Sequence, residues 1–331
     1  MTIRAGVVGF RGYSGAELIH ILDRHPLAEP VLLEHRSDST PEPAPRGARR
    51  HAVAELGKAH DLQVVFLATP PEVSMELTPT LLATGAKVID LSGAFRLRTA
   101  ENYKTWYKAD HTEPELLAEA AYGLPEFGRE LICSARLVSN PGCYPTAANL
   151  ALRPLVDAGL IDFSAGVVCD AKSGVSGAGR KPSLKTHFCE VTENFSAYSV
   201  LDHRHVPEVL QNSGIAESDF SFVAQLIPIH RGILETIYFR GARELTAVEI
   251  VEVYEKCYRD SRFVRVYDPG AMPDVRSVQR TNFCDLGVKY DPATRRGVVV
   301  SVVDNLGKGA AGQAVQNMNL LFGFPEEAGL L

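Results

Sequence analysis

The chain has 331 residues, of which 45% are apolar and 22% charged, a balance typical of a globular enzyme long enough for two domains. Its net charge of −6 argues against nucleic-acid binding through a basic surface, and no apolar run is long enough to predict a membrane span. The six cysteines contain no C-x-x-C pair, which argues against a zinc site and a disulfide scaffold, and the lack of a signal-peptide pattern favours the reducing cytoplasm.

The first half of the chain predicts alternating strands and helices. Residues 3–9 form an apolar strand pattern, and residues 14–25 form an amphipathic helix pattern that Pro26 ends. Further elements are predicted at residues 31–34 (strand), 37–60 (surface loop), 64–68 (strand), 75–84 (helix) and 87–91 (strand). This β-α-β alternation predicts an α/β fold with a doubly wound, Rossmann-like parallel sheet.

The turn between the first strand and the first helix predicts a dinucleotide site. Glycines there let the backbone approach a pyrophosphate, and the helix N-terminus faces the anion. At the end of the second strand, Glu34 would bind the ribose 2′-hydroxyl of NAD, whereas Arg36 with Ser37 would accommodate the 2′-phosphate of NADP, which we favour. The turn reads Gly9-Phe10-Arg11-Gly12-Tyr13-Ser14-Gly15.

The segment from Ser139 to Thr146 places Cys143 after a Pro-Gly turn, at the head of a helix predicted over about 146–156. Free backbone N–H groups and the helix dipole favour a thiolate, so we expect the pKa of Cys143 to be lowered. A thiolate would make Cys143 a nucleophile. The alternative is a small buried cysteine in the core.

After residue 150 the predicted strands outnumber the helices. This change of rhythm predicts a second α+β domain with a mixed or antiparallel sheet and helices on one face. The strands are predicted at 166–171, 220–226, 234–239 and 298–303, and the helices at 246–258 and 309–322, the last of which could return to the first domain.

A cysteine nucleophile in acyl chemistry needs a histidine base nearby. We favour His205, because it precedes a predicted helix start and a helix N-terminus holds an imidazole neutral. His203 and His230 are the alternatives.

Three arginines follow strand ends or glycine turns, where a guanidinium makes a good bidentate anion ligand. Arg96, Arg180 and Arg231 are therefore predicted to bind substrate together with His230, and a structural ion pair is the alternative for each arginine.

These motifs together resemble the N-acetyl-gamma-glutamyl-phosphate reductases, relatives of the aspartate-semialdehyde dehydrogenases. The similarity runs nearly end to end. It is carried by residues 12–18, 122–126, 139–146, 173–180, 203–208, 227–232 and 304–317.

The resemblance implies reduction of an acyl phosphate by NADPH in arginine biosynthesis, with release of an aldehyde and inorganic phosphate. It implies that Cys143 is the nucleophile and that Asn305 and Gly307 lie near the nicotinamide, and we also expect Ser173 and Gly174 to contact the cofactor. The expected dinucleotide domain comprises residues 1–145 with 305–331, and the substrate and oligomerisation domain comprises residues 146–304. We expect a homo-oligomer, a dimer or a tetramer.

The expected mechanism is attack of the Cys143 thiolate on the acyl phosphate, hydride reduction of the resulting thioester, and acid–base catalysis by His205. Arg96 or Arg231 would hold the phosphate or the substrate carboxylate. The alternatives are the aminoadipate homologue or aspartyl phosphate as substrate, and a non-catalytic NADP-binding regulator on the same fold.

Overall fold

The first seven strands form one sheet in the computed structural model, which describes residues 2–35, 53–55 and 61–331. Every neighbouring pair in this sheet is parallel, in the order β3-β2-β1-β4-β5-β7-β6, which confirms the predicted doubly wound arrangement. The strands are β1 Ile3–Val8, β2 Ala28–Glu34, β3 Val53–Glu55, β4 Val64–Leu67, β5 Lys87–Asp90, β6 Ala121–Tyr122 and β7 Leu137–Ser139.

Both faces of the first sheet are covered. Val7 belongs to one apolar cluster and its neighbour Val8 to another, because successive side chains of a strand point to opposite faces. Strands buried on both faces read as continuous apolar runs, which explains the patterns of β1 and β4. The helices of this half and the helix that follows it are α1 Tyr13–Leu22, α2 Pro71–Ala83, α3 Ala100–Tyr107, α4 Pro114–Glu119, α5 Pro125–Ser134 and α6 Cys143–Asp157.

The later strands form a second sheet in the order β12-β13-β14-β11-β8-β10-β9. It is a mixed sheet, since β8 pairs with β10 in parallel and with β11 antiparallel. Its strands are β8 Val167–Gly174, β9 Ser196–Tyr198, β10 Phe220–Ile227, β11 Ile233–Arg240, β12 Val264–Val266, β13 Cys284–Asp291 and β14 Arg296–Val303, and the helices are α7 Phe188–Val191, α8 Val206–Ser213 and α9 Ala247–Tyr258.

Helices cover one face of the second sheet. The helix α6 packs on β11 and β14, α9 packs on β12 and β13, and α8 packs on α6. Buried and partly exposed residues alternate along β10 and β11, as expected when one face lies on the core. The N-terminus of α6 thus lies where the two sheets meet.

The chain returns to the first sheet after β14. A π-helical turn, Gly307–Ala311, leads into α10, Gly312–Leu321. Val315 and Met318 lie in one apolar cluster with Ile3 and Leu18. The segment before α10 therefore passes between the two sheets.

Several predicted bounds were wrong. The first strand ends at Val8, because Gly9 has φ +79°, and the helix predicted over 14–25 ends at Leu22. The helix predicted over 75–84 begins earlier, at Pro71, since proline is well tolerated in the first helical turn. Of the loop predicted over 37–60, residues 53–55 form the edge strand β3, and the rest lies outside the described residues.

No helix in the described ranges combines the length and apolar character needed to cross a membrane.

Candidate active site

Cys143 is the first residue of α6, and Gly142 is its N-cap. The loop after β7 turns at Pro141-Gly142, and this confirms the predicted position of Cys143 at a helix head, although the helix begins three residues earlier than predicted. Cys143 is half-buried and lines a cleft of about 650 Å³. The nucleophile candidate is thus open to a small molecule from one side.

The expectation of a lowered pKa for Cys143 is wrong. Burial raises the pKa of the thiol to about 11, although the Arg96 guanidinium and the backbone N–H of Tyr144 both favour the thiolate. The helix-terminus effect is present, but desolvation is larger. Cys143 therefore rests as a thiol and needs a base.

His205 lines the same cleft as Cys143 and is the candidate for that base. It is the N-cap of α8, as predicted, and burial lowers its pKa well below the usual value, with His203 and Arg96 adding to the effect. Arg96 Nη1 lies 3.3 Å from His205 Nε2, and because an arginine only donates, Nε2 accepts and the proton sits on Nδ1. The imidazole is neutral, with its lone pair on Nε2.

The His205 ring lies directly against the residue before Cys143. A methyl group on Gly142 would come within 2.7 Å of His205 Nε2 and 2.9 Å of Arg96 Nη1. Only a residue without a side chain lets the imidazole and the guanidinium approach the loop this closely.

The other two histidine candidates differ in position. The ring centroids of His203 and His205 are 4.8 Å apart, both rings line the cleft with Cys143, and burial lowers the pKa of His203 to about 4. His230 is exposed and packs edge-on against Tyr13 of the glycine-rich turn, 6.3 Å between centroids. The structure therefore brings His203 and His205 to Cys143 and places His230 beside the dinucleotide turn.

Sequence reasoning missed Glu208. This buried carboxylate accepts hydrogen bonds of 2.7 Å from the backbone N–H of Gly142 and from the Tyr122 hydroxyl, and it lies 3.7 Å from Arg96 Nη1. Glu208 follows His205 by three residues on α8, so the two side chains share one face of that helix. That spacing, in the sequence His-Val-Pro-Glu, was the signal that could have found it.

Arg96 lies at the site, but its guanidinium donates hydrogen bonds to protein groups. Its Nε donates to the carbonyl of Asn140 at 2.9 Å and its Nη2 to the carbonyl of Leu91 at 2.8 Å. With Glu208 and His205 on Nη1, this buried guanidinium joins β5, the Cys143 loop and α8.

Arg231 forms a structural ion pair, which was the alternative to the predicted substrate binding. Its Nη atoms donate to both carboxylate oxygens of Glu17, at 3.0 and 3.1 Å, and its Nε lies 2.8 Å from Asp304. Arg231 is buried between α1 of the first sheet and the end of β14. Arg180 points toward the dinucleotide turn, where its Nη1 donates to the carbonyl of Arg11 at 2.6 Å.

The segment after β14 closes one side of the site. Asn305 accepts from the backbone N–H of Gly232 at 2.7 Å and donates to the Ser176 hydroxyl at 3.0 Å. A methyl group on Gly309 would lie 3.0 Å from Cβ of Cys143. The π-helical turn therefore packs against Cys143, and π-helical turns are frequent at functional sites.

The glycine-rich turn fits a dinucleotide. A Cβ on Gly15 would come within 2.3 Å of the Gly9 carbonyl oxygen, and Gly12 caps α1 without a side-chain hydrogen bond, so the first-turn N–H groups, including those of Tyr13 and Ser14, keep no side-chain partner at this cap. Arg11 Nη1 lies 2.7 Å from the Glu34 carboxylate. Arg36 and Ser37 lie outside the described residues.

The two other predicted cofactor residues lie at the end of β8. The buried Ser173 lines the cleft with Cys143, and the backbone N–H of Gly174 donates to the Gly232 carbonyl at 2.9 Å. These contacts join the glycine-rich stretch after β8 to the loop that holds Arg231.

Comparison with known proteins agrees with this architecture. A semialdehyde dehydrogenase NAD-binding domain matches residues 4–135, and a semialdehyde dehydrogenase dimerisation domain matches residues 143–305. The Symbiobacterium thermophilum protein named N-acetyl-gamma-glutamyl-phosphate reductase is 47% identical over 342 residues, covering 100% of this chain and 98% of its own length. A Geobacillus protein of the same name is also 47% identical, covering 98% and 97%. Aspartate semialdehyde dehydrogenase from Candida albicans, solved with NADP, has the same fold, with a TM-score of 0.69 and 17% identity over 99% of each chain.

Proposed function

The chain belongs to the N-acetyl-gamma-glutamyl-phosphate reductase family, and on this basis we propose that it reduces N-acetyl-gamma-glutamyl phosphate to N-acetylglutamate semialdehyde with NADPH, a step of arginine biosynthesis. The observation that carries the proposal is the placement of Cys143 at the head of α6, in one cleft with the neutral imidazole of His205.

The first step forms a thioester on Cys143. Its sulfur attacks the acyl carbon, a C–S bond forms, and the C–O bond to phosphate breaks with the electron pair leaving on phosphate. The neutral imidazole of His205 takes the thiol proton, because a thiol with a pKa of about 11 is a poor nucleophile until it is deprotonated. Splitting the reduction in this way replaces one difficult step with two easier ones.

The second step reduces the thioester. The segment from Asn305 to Gly307 would hold the nicotinamide, which would supply the hydride. His205 gives its proton to the oxygen that becomes negative and takes it back as the C–S bond breaks to give the aldehyde. The electron pair of that bond leaves on sulfur, and the proton then passes from His205 to the thiolate and restores the thiol. Backbone N–H groups at the head of α6 stabilise the oxyanion while it exists.

NADP(H) is the proposed cofactor. The backbone of Gly9, Gly12 and Gly15 would hold the pyrophosphate, and this is supported by the tight turn, in which a Cβ on Gly9 or Gly15 would collide with the backbone. The ion pair between Arg11 and Glu34 neutralises the carboxylate that would otherwise repel a 2′-phosphate, and this supports NADP over NAD. Arg36 and Ser37 remain predicted ligands of that phosphate.

We propose that the dinucleotide domain comprises residues 1–145 with 305–331 and that residues 146–304 form the substrate and oligomerisation domain. A homo-oligomer is supported by the family model of the dimerisation domain and by the outer face of the second sheet, where Val168 and Tyr238 pair across the ladder and are 40% and 45% exposed. The reducing cytoplasm suits an enzyme with a catalytic thiol.

The decisive experiment runs the reaction in the oxidative direction. We expect phosphate-dependent reduction of NADP⁺ with N-acetylglutamate semialdehyde, and slower turnover with aspartate semialdehyde or the aminoadipate homologue. The Cys143→Ser variant should lose activity by about three orders of magnitude or more. Retained activity in Cys143→Ser, or equal rates with aspartate semialdehyde, would refute the proposal.

A further inference from the structure

The substrate of the proposed reaction carries two anionic groups, a phosphoryl group on the reacting carbon and a carboxylate farther along the chain. The arginines singled out from the sequence are committed elsewhere. Arg96 donates to two backbone carbonyls beside Glu208, Arg231 is held by Glu17 and Asp304, and Arg180 donates to the dinucleotide turn. The cations that bind the two anionic groups of the substrate must therefore come from other residues of the cleft at Cys143.

Two basic side chains, those of Lys185 and Arg204, line the cleft wall. Lys185 lies on the turn Leu184–Thr186, and Arg204 lies between His203 and His205. Both side chains are exposed, and within the described ranges no carboxylate oxygen lies within salt-bridge distance, 4.0 Å, of either cation. Their charges are available to a ligand.

Arg204 is the cation nearer to the chemistry. It stands between His203 and His205 in the chain, and all three residues line the cleft together with Cys143. Lys185 belongs to a different segment of the cleft wall, the turn Leu184–Thr186 that precedes α7.

We propose that Arg204 binds the phosphoryl group of the substrate and that Lys185 binds its carboxylate, an assignment that rests on the proposed function. The phosphoryl group is bonded to the carbon that Cys143 attacks, so its ligand must lie beside Cys143, whereas methylene groups separate the carboxylate from that carbon. The planar guanidinium fork of Arg204 matches phosphate geometry, and the ammonium of Lys185 suits a single carboxylate. As the C–O bond breaks, Arg204 stabilises the charge that builds on the departing phosphate.

The oxidative reaction tests each half of the assignment, because phosphate and aldehyde are then separate substrates. We expect Arg204→Met to raise the KM for inorganic phosphate by about 10–100-fold and the KM for the aldehyde far less. Lys185→Met should show the reverse pattern. Arg204→Lys keeps the charge without the fork and should give an intermediate KM for phosphate. The control is Lys181→Met, which removes a charge from the same segment but not from the cleft wall.

A binding readout separates this inference from turnover. Inorganic phosphate should slow iodoacetamide alkylation of Cys143 in the wild-type protein, and Arg204→Met should require about tenfold more phosphate for the same protection. Unchanged phosphate KM and unchanged protection in Arg204→Met would overturn the assignment. A wild-type enzyme without phosphate-dependent turnover would overturn the proposed function as well, and that failure would be visible before any variant is made.

Discussion

Cys143 and His205 face one cleft with neither group charged at neutral pH. Burial has opposite consequences for the two, since it raises the pKa of an acid that ionises to an anion and lowers the pKa of a base that ionises to a cation. The pair therefore rests as thiol and imidazole. Such a resting state protects the thiol from oxidants, which react with thiolates.

The resting thiol predicts a steep pH dependence of alkylation. With a pKa of about 11, four units above pH 7, about one thiol in ten thousand is ionised at neutral pH. The iodoacetamide rate at Cys143 should therefore rise about tenfold per pH unit from pH 7 to pH 10. The measurement is loss of activity against pH, with mass spectrometry to confirm the labelled residue. A rate that levels off below pH 8 would contradict the thiol resting state.

The sequence predicted where some site residues lie in their elements, but not which side chains contact each other. The turn around Cys143 and the helix start after His205 are local signals, and from them the positions of both residues at helix N-termini were predicted. Whether a guanidinium meets a ligand or a carboxylate depends on residues distant in the sequence. Arg231 shows this, because its partners Glu17 and Asp304 are separated from it by most of a domain.

At the scale of elements, the N-terminus of α6 depends on Gly142. Its backbone has φ −66° and ψ 153°, which any residue can adopt, so the glycine is required for space and not for conformation. The side chains of His205 and Arg96 occupy the volume that a Cβ would take.

The variant Gly142→Ala should therefore impair catalysis more than folding. The added methyl displaces the His205 imidazole, so kcat should fall by about 10²-fold or more, the typical contribution of a general base. Overpacking should lower the free energy of unfolding by about 1–3 kcal/mol. Steady-state kinetics and urea unfolding measure the two effects. A large loss of stability with normal kcat per folded molecule would show that the close contact is only structural.

The periodicity of the sequence predicted most helices and strands correctly, but it did not predict which strands pair in the sheets. Runs such as Val64–Leu67 are apolar throughout and were predicted as strands. The strand β13 was not predicted, since Cys284–Asp291 alternates small, charged and apolar residues, and its place in the sheet depends on β14 beside it. Parallel pairing of β8 with β10 is set by the elements between them, which sequence patterns do not encode.

At the scale of the whole molecule, the ion triad of Glu17, Arg231 and Asp304 joins the two sheets. Asp304 also accepts from the backbone N–H groups of Leu306 and Gly307, at 2.9 and 3.2 Å. The triad therefore fixes the start of the segment that packs against Cys143, in addition to holding α1 against the second sheet.

Removing Arg231 should destabilise the fold strongly. The variant Arg231→Met leaves the fully buried Asp304 carboxylate without its cation, and loss of one partner of a buried pair costs about 3–5 kcal/mol. Glu17→Gln should cost less, since the Glu17 side chain is 17% exposed. Chemical denaturation measures both.

The matched control is Arg136→Met, which breaks the exposed pair with Glu119 and should change stability little. Equal stabilities of Arg231→Met and Arg136→Met would show that the triad contributes nothing to the fold.

The return of α10 has a consequence for synthesis on the ribosome. The core that contains Ile3 and Leu18 also needs Val315 and Met318, whereas the core around α6 and the second sheet is complete once Val303 has emerged. At roughly 5–20 residues per second, about 15–60 s separate the synthesis of Ile3 from that of Val315. The face of the first sheet that contains Ile3 and Leu18 is thus buried last, whereas the opposite face is complete once Leu137 has emerged, and the nascent β1 is a natural client for chaperones during that interval.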